Sequence, residues 1–412
     1  MAFLADIRIE AYPALEGDCF LISIGNEKKT NILIDGGFAE TYHDYLKPRL
    51  ISMAENGEEL SLVIVTHVDS DHIEGIIELF KENGTAKNPL IIPINEVWHN
   101  SYRHLDSMKQ KGEELNPDEK RILSGIISQG SVTQNKKKNN PNKDVSAKDG
   151  STLAALLYGG EYNWNGLYDG QAINCNNKEL ISLTPDINIR MLSPSSESLK
   201  KLEKYWVKEL RKKKYDFKLT DDKLFDDAYE FYLLSQKDPK QNNENKNVSH
   251  KAKNLSLDYL LSKKMSHDGA PANGSSISFI IEYKEKRLLF LADSHPKNIH
   301  KEIQALVDKF NYNPLFDVIK VSHHGSHRNT STELLSLIDS PIYLFSTNGE
   351  KNNHPSSETI ARIISRKEGE RHRHLIFNYP VKNNLLSDEE LRTEYKFSVE
   401  LSDGNQIKVI DL

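Results

Sequence analysis

Between residues 66 and 75 the chain reads THVDSDHIEG, which sets two histidines and two aspartates, His67, Asp69, Asp71 and His72, within six positions. Imidazole and carboxylate together suit zinc, and a larger share of oxygen donors shifts the preference toward manganese or iron. The stretch follows LSLVIVTH, an apolar β-branched run that reads as a buried strand. It precedes IEGIIELFKENG, where Ile73, Ile76, Ile77 and Phe80 share one helical face and Gly84 marks the stop. On an extended tail residues i and i+2 point the same way, so His67 and Asp69 can share one cation. Asp71 and His72 turn with the chain toward a second. Aspartates that cap a helix are common, so the rest of the chain must decide.

Three distant segments repeat the pattern of an apolar strand that delivers a donor at its tip. LLFLADSHP ends in Asp293, a carboxylate placed to bridge two cations, and VIKVSHHGSHRNTS carries His323 and His324. LFSTNGEKNNHPS ends in a polar turn with His354. Open α/β sheets gather ligands at this edge.

The elements that must position these groups are legible as strands and helices in alternation, which implies an α/β layered core. DIRIEAY, DCFLISIG and TNILIDGG read as three short strands, SISFIIEYKEKRLLFLAD as a hairpin, and KFSVELSDGNQIKVIDL as a closing pair. Residues 105–180 are polar and rich in breakers, a flexible insertion. Residues 196–262 read as a charged helical insertion, with Leu199, Leu202, Trp206 and Leu210 at helical spacing, then Leu224, Ala228, Phe231 and Leu234. One domain, residues 1–104, 181–195 and 263–412, remains around them.

Composition narrows the class. A chain of 412 residues with 37% hydrophobic and 28% charged residues is soluble and globular. No apolar run approaches the roughly 20 residues of a membrane helix, and the first residues show no signal peptide. With only Cys19 and Cys175, neither a disulfide scaffold nor a thiolate zinc site is expected, and a reducing cytoplasm is the expected home. A net charge of −6 gives no global attraction to nucleic acid. A local patch exists in LKKLEKYWVKELRKKK, where Lys200, Lys201, Lys204, Lys208 and Arg211 to Lys214 outnumber Glu203 and Glu209 and interleave with Tyr205 and Trp206. The acidic DDKLFDDAYEFY that follows can neutralise it.

Taken together, THVDSDH, GDCFLI, ILIDGG, LADS, KVSHHGS and NNHPS stand in an order that resembles the metallo-β-lactamase fold hydrolases, and within them the ComEC-like branch, over roughly residues 5–100 and 180–412. The resemblance implies a four-layer αβ/βα metallo-β-lactamase-type sandwich with a charged helical insertion. It implies one or two Zn2+ or Mn2+ ions held by His67, Asp71, His72 and Asp293, with one of His323 and His324 as the final ligand. Asp69 stands where many relatives carry a histidine, and Asp18 and Asp35 match positions that shape the site floor. The separate histidine that many relatives supply before the bridging aspartate has no firm counterpart, His99 being the candidate. Asp71, His324 and His354 carry catalysis on this reading: Asp71 as ligand and proton acceptor, His354 near the substrate phosphate or carbonyl. Whichever of the paired histidines is not metal-bound stabilises developing negative charge. Ser326 and His327 hydrogen-bond a substrate phosphate. The implied reaction is phosphodiester hydrolysis in nucleic acid, DNA before RNA, in a bacterial defence setting. The alternatives are a small-molecule hydrolase for a lactone, cyclic nucleotide or phosphonate, and a subunit that docks a protein partner on residues 196–262.

Overall fold

The computed structural model describes residues 5–26, 28–101, 104, 153–212, 256–350, 352–366 and 371–412. In chain order its first strands are β1 (Ile7–Ala11), β2 (Phe20–Ile24), β3 (Thr30–Ile34), β4 (Leu62–Val65), the two-residue β5 (Gly84–Thr85) and β6 (Asn88–Pro89), and β7 (Val97–His99). Then follow β8 (Leu180–Ser182), β9 (Ile187–Ser193), β10 (Ser278–Tyr283), β11 (Lys286–Phe290), β12 (Val318–Lys320), β13 (Ile342–Phe345), β14 (Arg373–Phe377), β15 (Phe397–Leu401) and β16 (Lys408–Asp411). One sheet runs β16-β1-β2-β3-β4-β7 and the other β15-β14-β13-β12-β11-β10-β9-β8. Each is antiparallel in one half and parallel in the other. The β3–β4 and β4–β7 pairs are parallel, as are all pairs from β11 to β15.

The sheets face each other across an apolar layer. Ile9, Phe20, Ile22, Ile32 and Ile64 from the first meet Phe279, Ile281, Leu288 and Phe290 from the second, and the Phe20 and Phe290 rings sit edge to face at 5.8 Å. Full burial of each such side chain contributes about 1.5–3 kcal/mol. The outer face of the first sheet is covered by helices Lys47–Glu55, Ser70–Asn83 and Leu153–Gly159, through Leu50, Met53, Ile73, Ile76, Leu79 and Leu157. Helices Pro296–Phe310, Thr332–Leu337, Ser357–Ile364 and Leu257–Ser262 cover the second, through Ile299, Ile303, Leu334, Ile360 and Leu260. The result is the mixed α/β sandwich expected from the sequence, two facing sheets with helices outside them, and the strand ends beyond β4, β11 and β12 lie at one edge.

Several expectations need correction. The closing strands are not a pair: β15 lies beside β14 in the second sheet, whereas β16 crosses over to β1 in the first. Residues 153–180 are not a loose polar insertion, because Leu153, Leu157, Tyr168 and Ile173 are buried and Val97 bridges Trp164. Leu153 and Leu157 stand at helical spacing in one short helix, whereas Tyr168 and Ile173 follow no helical or strand period, which hid their packing. Residues 257–262 likewise dock by Leu257 and Leu260 rather than belonging to a separate insertion. On the 70–83 helix Leu79 is buried and Ile77 only partly so. Helix Ser196–Lys212 buries Leu199 and Leu202; the side chains of Trp206 and Leu210 and all of Leu224, Ala228, Phe231 and Leu234 lie outside the described residues, as do residues 105–152. Among the described residues no helix is long and apolar enough to cross a membrane.

One close approach sets where the metal-seeking helix begins its course. A Cβ on Gly75 would stand 2.0 Å from Gly36 O, and one on Gly36 would stand 2.5 Å from Ile76 N. The turn after β3 and the first turns of the 70–83 helix therefore touch backbone to backbone. Replacing an ordinary helical glycine by alanine stabilises by about 1 kcal/mol. Here the sign reverses: Gly75→Ala lowers the urea midpoint, costing about 1–3 kcal/mol through overpacking. An unchanged or raised midpoint would contradict the close packing.

Candidate metal centre

Both sheets contribute to one cluster. His67 follows β4 by two residues, and His72 sits in the first turn of the 70–83 helix. Asp293 follows β11, and His323 and His324 follow β12. Asp293 is the centre of the group. Its Oδ1 lies 3.6 Å from His72 Nε2, and its Oδ2 lies 3.8 Å from His67 Nε2, 3.5 Å from His323 Nε2 and 3.8 Å from His324 Nε2. Asp69 Oδ2 is 3.6 Å from His67 Nε2, and Asp71 Oδ2 is 3.5 Å from His324 Nε2 and 4.0 Å from His72 Nε2. Asp69 occupies the position before the helix without accepting a capping bond through its side chain, so capping does not account for it.

Each imidazole is held by its other nitrogen. Asp35 accepts from Thr66 N at 2.8 Å and from Thr66 Oγ1 at 2.7 Å, so the Thr66 hydroxyl, with its hydrogen engaged, accepts from His67 Nδ1 at 3.1 Å. His72 Nδ1 donates to Asp35 Oδ2 at 2.8 Å, and His324 Nδ1 donates to Ser346 O at 2.9 Å. Protonated Nδ1 leaves the lone pair on Nε2. Those Nε2 atoms of His67, His72 and His324, and Asp293 Oδ1, are buried and have no hydrogen-bond partner. Unsatisfied buried polar atoms cost roughly 1–3 kcal/mol each, and four that converge call for a common partner. A divalent cation fits the donor chemistry. His67, His72 and Asp293 form one candidate group and Asp71, His72 and His324 another, and the carboxylate that orients His72 is the outer-shell partner such sites use.

The charges in the cluster show which protons a cation would displace. Burial disfavours ionised Asp293, yet the surrounding imidazoles, His323 and His324 foremost, hold its carboxyl well below the usual range. Burial likewise opposes charge on His72, but Asp293, Asp35 and Asp71 raise it to about 9. Against the same burial, Asp293 and Asp18 lift His324 well above the ordinary histidine value. Beneath the cluster Lys320, fully buried, pairs with Asp18. Burial pushes the Asp18 carboxyl up, and the Lys320 and His324 charges outweigh it and lower it.

The remaining expected residues divide. His354 stands at the rim, its ring 5.7 Å from that of His323 and its Nδ1 without a partner. Burial first, then the positive His323 and His324, lowers it to about 3, so it is a neutral imidazole. The His327 ring packs beside Ser356 Oγ and Ser266 Oγ at 3.4 and 3.5 Å. Ser326 is buried and its hydroxyl accepts from Arg328 N at 3.3 Å, which turns it into its own loop rather than toward a substrate. His99 is buried in β7 with its ring stacked on Trp164 at 6.1 Å, outside the candidate metal groups. Its strand-end position resembles the ligands', and β7 lies directly beside β4 with His99 opposite Val65, but its ring packs on Trp164. Sequence reasoning passed over Lys320, Thr66, Asp268, Asn273 and Asn329. A lysine inside the apolar run FDVIKV is a signal for the first; Asp268 and Asn273 sit in a turn-rich stretch that carries none.

Metal binding requires neutral imidazoles, so it displaces protons. In the metal-free protein protonated His72 adds stability that is full below its ordinary value of 6.5 and is lost as pH rises through about 9. Cation affinity accordingly falls as pH drops below about 9, roughly tenfold per pH unit for each displaced proton. Calorimetric titration of Zn2+ in buffers of unlike ionisation heat measures the release; affinity that stays flat between about pH 6 and 8 would contradict the assignment of His72.

Residues 12–133 match the family model of the Metallo-beta-lactamase superfamily. No curated protein matches the chain. Among solved structures it is similar to a mutant of the CmlA beta-hydroxylase, at 9% identity over 98% of this chain and 54% of that one, with a TM-score of 0.36. Zn2+-bound PqqB from Methylobacterium extorquens gives 11% identity over 95% of this chain and 87% of that one, TM-score 0.33. A long form RNase Z from yeast gives 10% over 92% and 38%, TM-score 0.31. The chain thus spans about half the length of the first of these relatives. Its strand-end cluster begins within the matched segment, at His67 to His72, and the chain therefore carries a metallo-beta-lactamase superfamily segment at the place where its own geometry gathers metal donors.

Proposed function

We propose that the protein is a metal-dependent hydrolase that binds one or two Zn2+ or Mn2+ ions and cleaves phosphodiesters in nucleic acid, DNA before RNA. The observation that carries the metal reading is the convergence of orphaned Nε2 atoms from His67, His72 and His324 on Asp293. His67, Asp69 and Asp293 would hold one ion, and Asp71, His72, His324 and Asp293 the other. Bound divalent ions supply a nucleophile from water near neutral pH and polarise the oxygen under attack. The chain's own residues position that chemistry. Asp35 and Ser346 O fix the donor rings, and Asp71, half-buried at the cluster's open side, is placed to accept a proton. His354, neutral and beside His323, would serve as a hydrogen-bond group toward the substrate.

The polymeric substrate rests on charge around the mouth. Lys264, His267 and Arg328 are exposed beside the histidine loop, and Arg328 donates to His267 O at 3.0 Å, tying the two rim segments together. Helix Ser196–Lys212 packs against the short turn Pro271–Gly274, whose Asn273 reaches His323, and exposes Lys200, Lys201, Lys204 and Tyr205. Lysines and an aromatic ring on one exposed helix suit a phosphate backbone with stacked bases.

The test is cleavage of plasmid, single-stranded DNA and RNA with Zn2+ or Mn2+. Asp71→Ala and His324→Ala abolish cleavage and lower bound metal, and a triple change of Lys200, Lys201 and Lys204 to Ala weakens DNA binding while flattening its salt dependence. Full cleavage by both site variants would overturn the site. Hydrolysis of a lactone or cyclic nucleotide with no action on any polymer would replace the substrate class.

A further inference from the structure

Among the described residues the His67–Asp69 side of the cluster has no histidine besides His67 to itself, since His72 also belongs to the group with Asp71 and His324, and His99 packs against Trp164. We infer that His323 is its second histidine donor and that Asp268, from the turn before β10, is the positioning residue that makes it one; this rests on the metal reading above and deepens it.

Proton placement on the His323 ring is fixed by its neighbours. Asn329 is fully buried, and its Nδ2 donates to Asp268 Oδ2 at 3.0 Å, to Asp293 O at 3.1 Å and to Ser294 O at 3.3 Å. With the amide nitrogen facing only acceptors, the Asn329 amide can stand one way round. Its Oδ1 is then the atom 3.0 Å from His323 Nδ1, and it accepts the proton there. Asp268 Oδ2 lies 3.5 Å from the same Nδ1 and favours that proton electrostatically. Asn273 Nδ2 donates to Asp268 Oδ2 at 2.7 Å and stands farther from His323 Nδ1, at 3.4 Å, than Asn329 Oδ1 does. Asp268 is itself held, accepting from Ala270 N at 2.9 Å, and its side chain is only 7% exposed.

With the Nδ1 proton held in this way, Nε2 is the nitrogen that a cation would strip bare, and it lies 3.5 Å from Asp293 Oδ2, the oxygen that His67 Nε2 faces at 3.8 Å. A ring poised to stabilise negative charge would offer an N–H in that direction. Once neutral, this ring keeps its proton on Nδ1 and offers a lone pair at Nε2, which is the face of a ligand. The arrangement repeats, with an asparagine as relay, the carboxylate hold that Asp35 applies directly to His72.

Metal content and affinity of the full chain decide it, measured by mass spectrometry and by calorimetry with Zn2+ alone. Wild type binds two ions. Asp268→Ala and His323→Ala each weaken one ion by about 10–100-fold and leave the other unchanged. Asp268→Asn, which keeps an acceptor oxygen, retains most of the affinity. His323, part-exposed, is the safer variant should Asp268→Ala fold poorly, and a melting curve reports on that. If both variants hold as much metal as tightly as wild type, the assignment of His323 and Asp268 is overturned while the hydrolase reading stands. Wild type that binds no ion at all sinks the reading on which both depend.

Discussion

Everything at the centre depends on a single buried carboxylate. Asp35 stands at the tip of β3 and accepts from Thr66 N, Thr66 Oγ1 and His72 Nδ1. Those bonds fix the end of β4, the ring of His72 and, through the Thr66 hydroxyl, the ring of His67. Without them three bonds' worth of buried donors lose their partner, and two imidazoles lose the tautomer that turns Nε2 inward. A cation site needs its donors held before the cation arrives, because a donor free to rotate adds an entropic cost to binding.

The second sheet meets this half through a different device. Asp18, between β1 and β2, pairs with Lys320 of β12 and stands 3.5 Å from His324 Nδ1. Two buried charges gain little net stability over apolar packing, but removing either leaves the other uncompensated. The neighbouring bonds are neutral: Ser346 Oγ donates to Gly17 O at 2.6 Å, and Asn378 Nδ2 donates to Tyr12 O at 2.9 Å. A charge pair and two amide or hydroxyl bonds thus register the sheets where the apolar layer between them thins toward the cleft. Apolar packing has no direction, so it can hold the sheets together without setting the sub-ångström offset that brings His324 beside His72.

Much of this was legible because strand tips speak in residue type. β-branched runs predict the strands, and the His and Asp residues beyond them announce the shared edge. What the chain hid has physical reasons. β15 and β16 look like a hairpin because hairpins are read from neighbours in sequence, whereas the sandwich closes by sending its last strand to the opposite sheet. Tyr168 and Ile173 fill the core from an irregular segment, and periodicity is silent about irregular segments. Asp268 and Asn329 bracket His323 from positions 61 residues apart, joined only by the fold. Such supporting groups are polar residues in loops, and sequence offers no way to tell them from solvated ones.

Part of the backbone strain of the structure lies in the loops that carry the donors. Asp35, Ala292, His323 and His324 all adopt left-handed conformations, with φ of 56°, 44°, 47° and 54°. Each such residue costs on the order of 1–3 kcal/mol in ordinary surroundings, less for Asp and His, whose side chains tolerate the region better. The cause is geometric. A strand that continued straight would carry its next side chains past the sheet edge, and a left-handed residue turns the chain back so that they hang over the cleft. His323 N donates to Ala292 O at 2.8 Å, so the strained turns after β11 and β12 brace one another. Gly325 completes the second turn at φ 87°, where a Cβ would stand 2.6 Å from Pro355 Cβ. The apolar layers hold these turns in place from below, and that is why the donors can sit on loops and still be rigid. Strain, orphaned nitrogens and buried charge meet in the same few residues, and stability alone explains none of the three there.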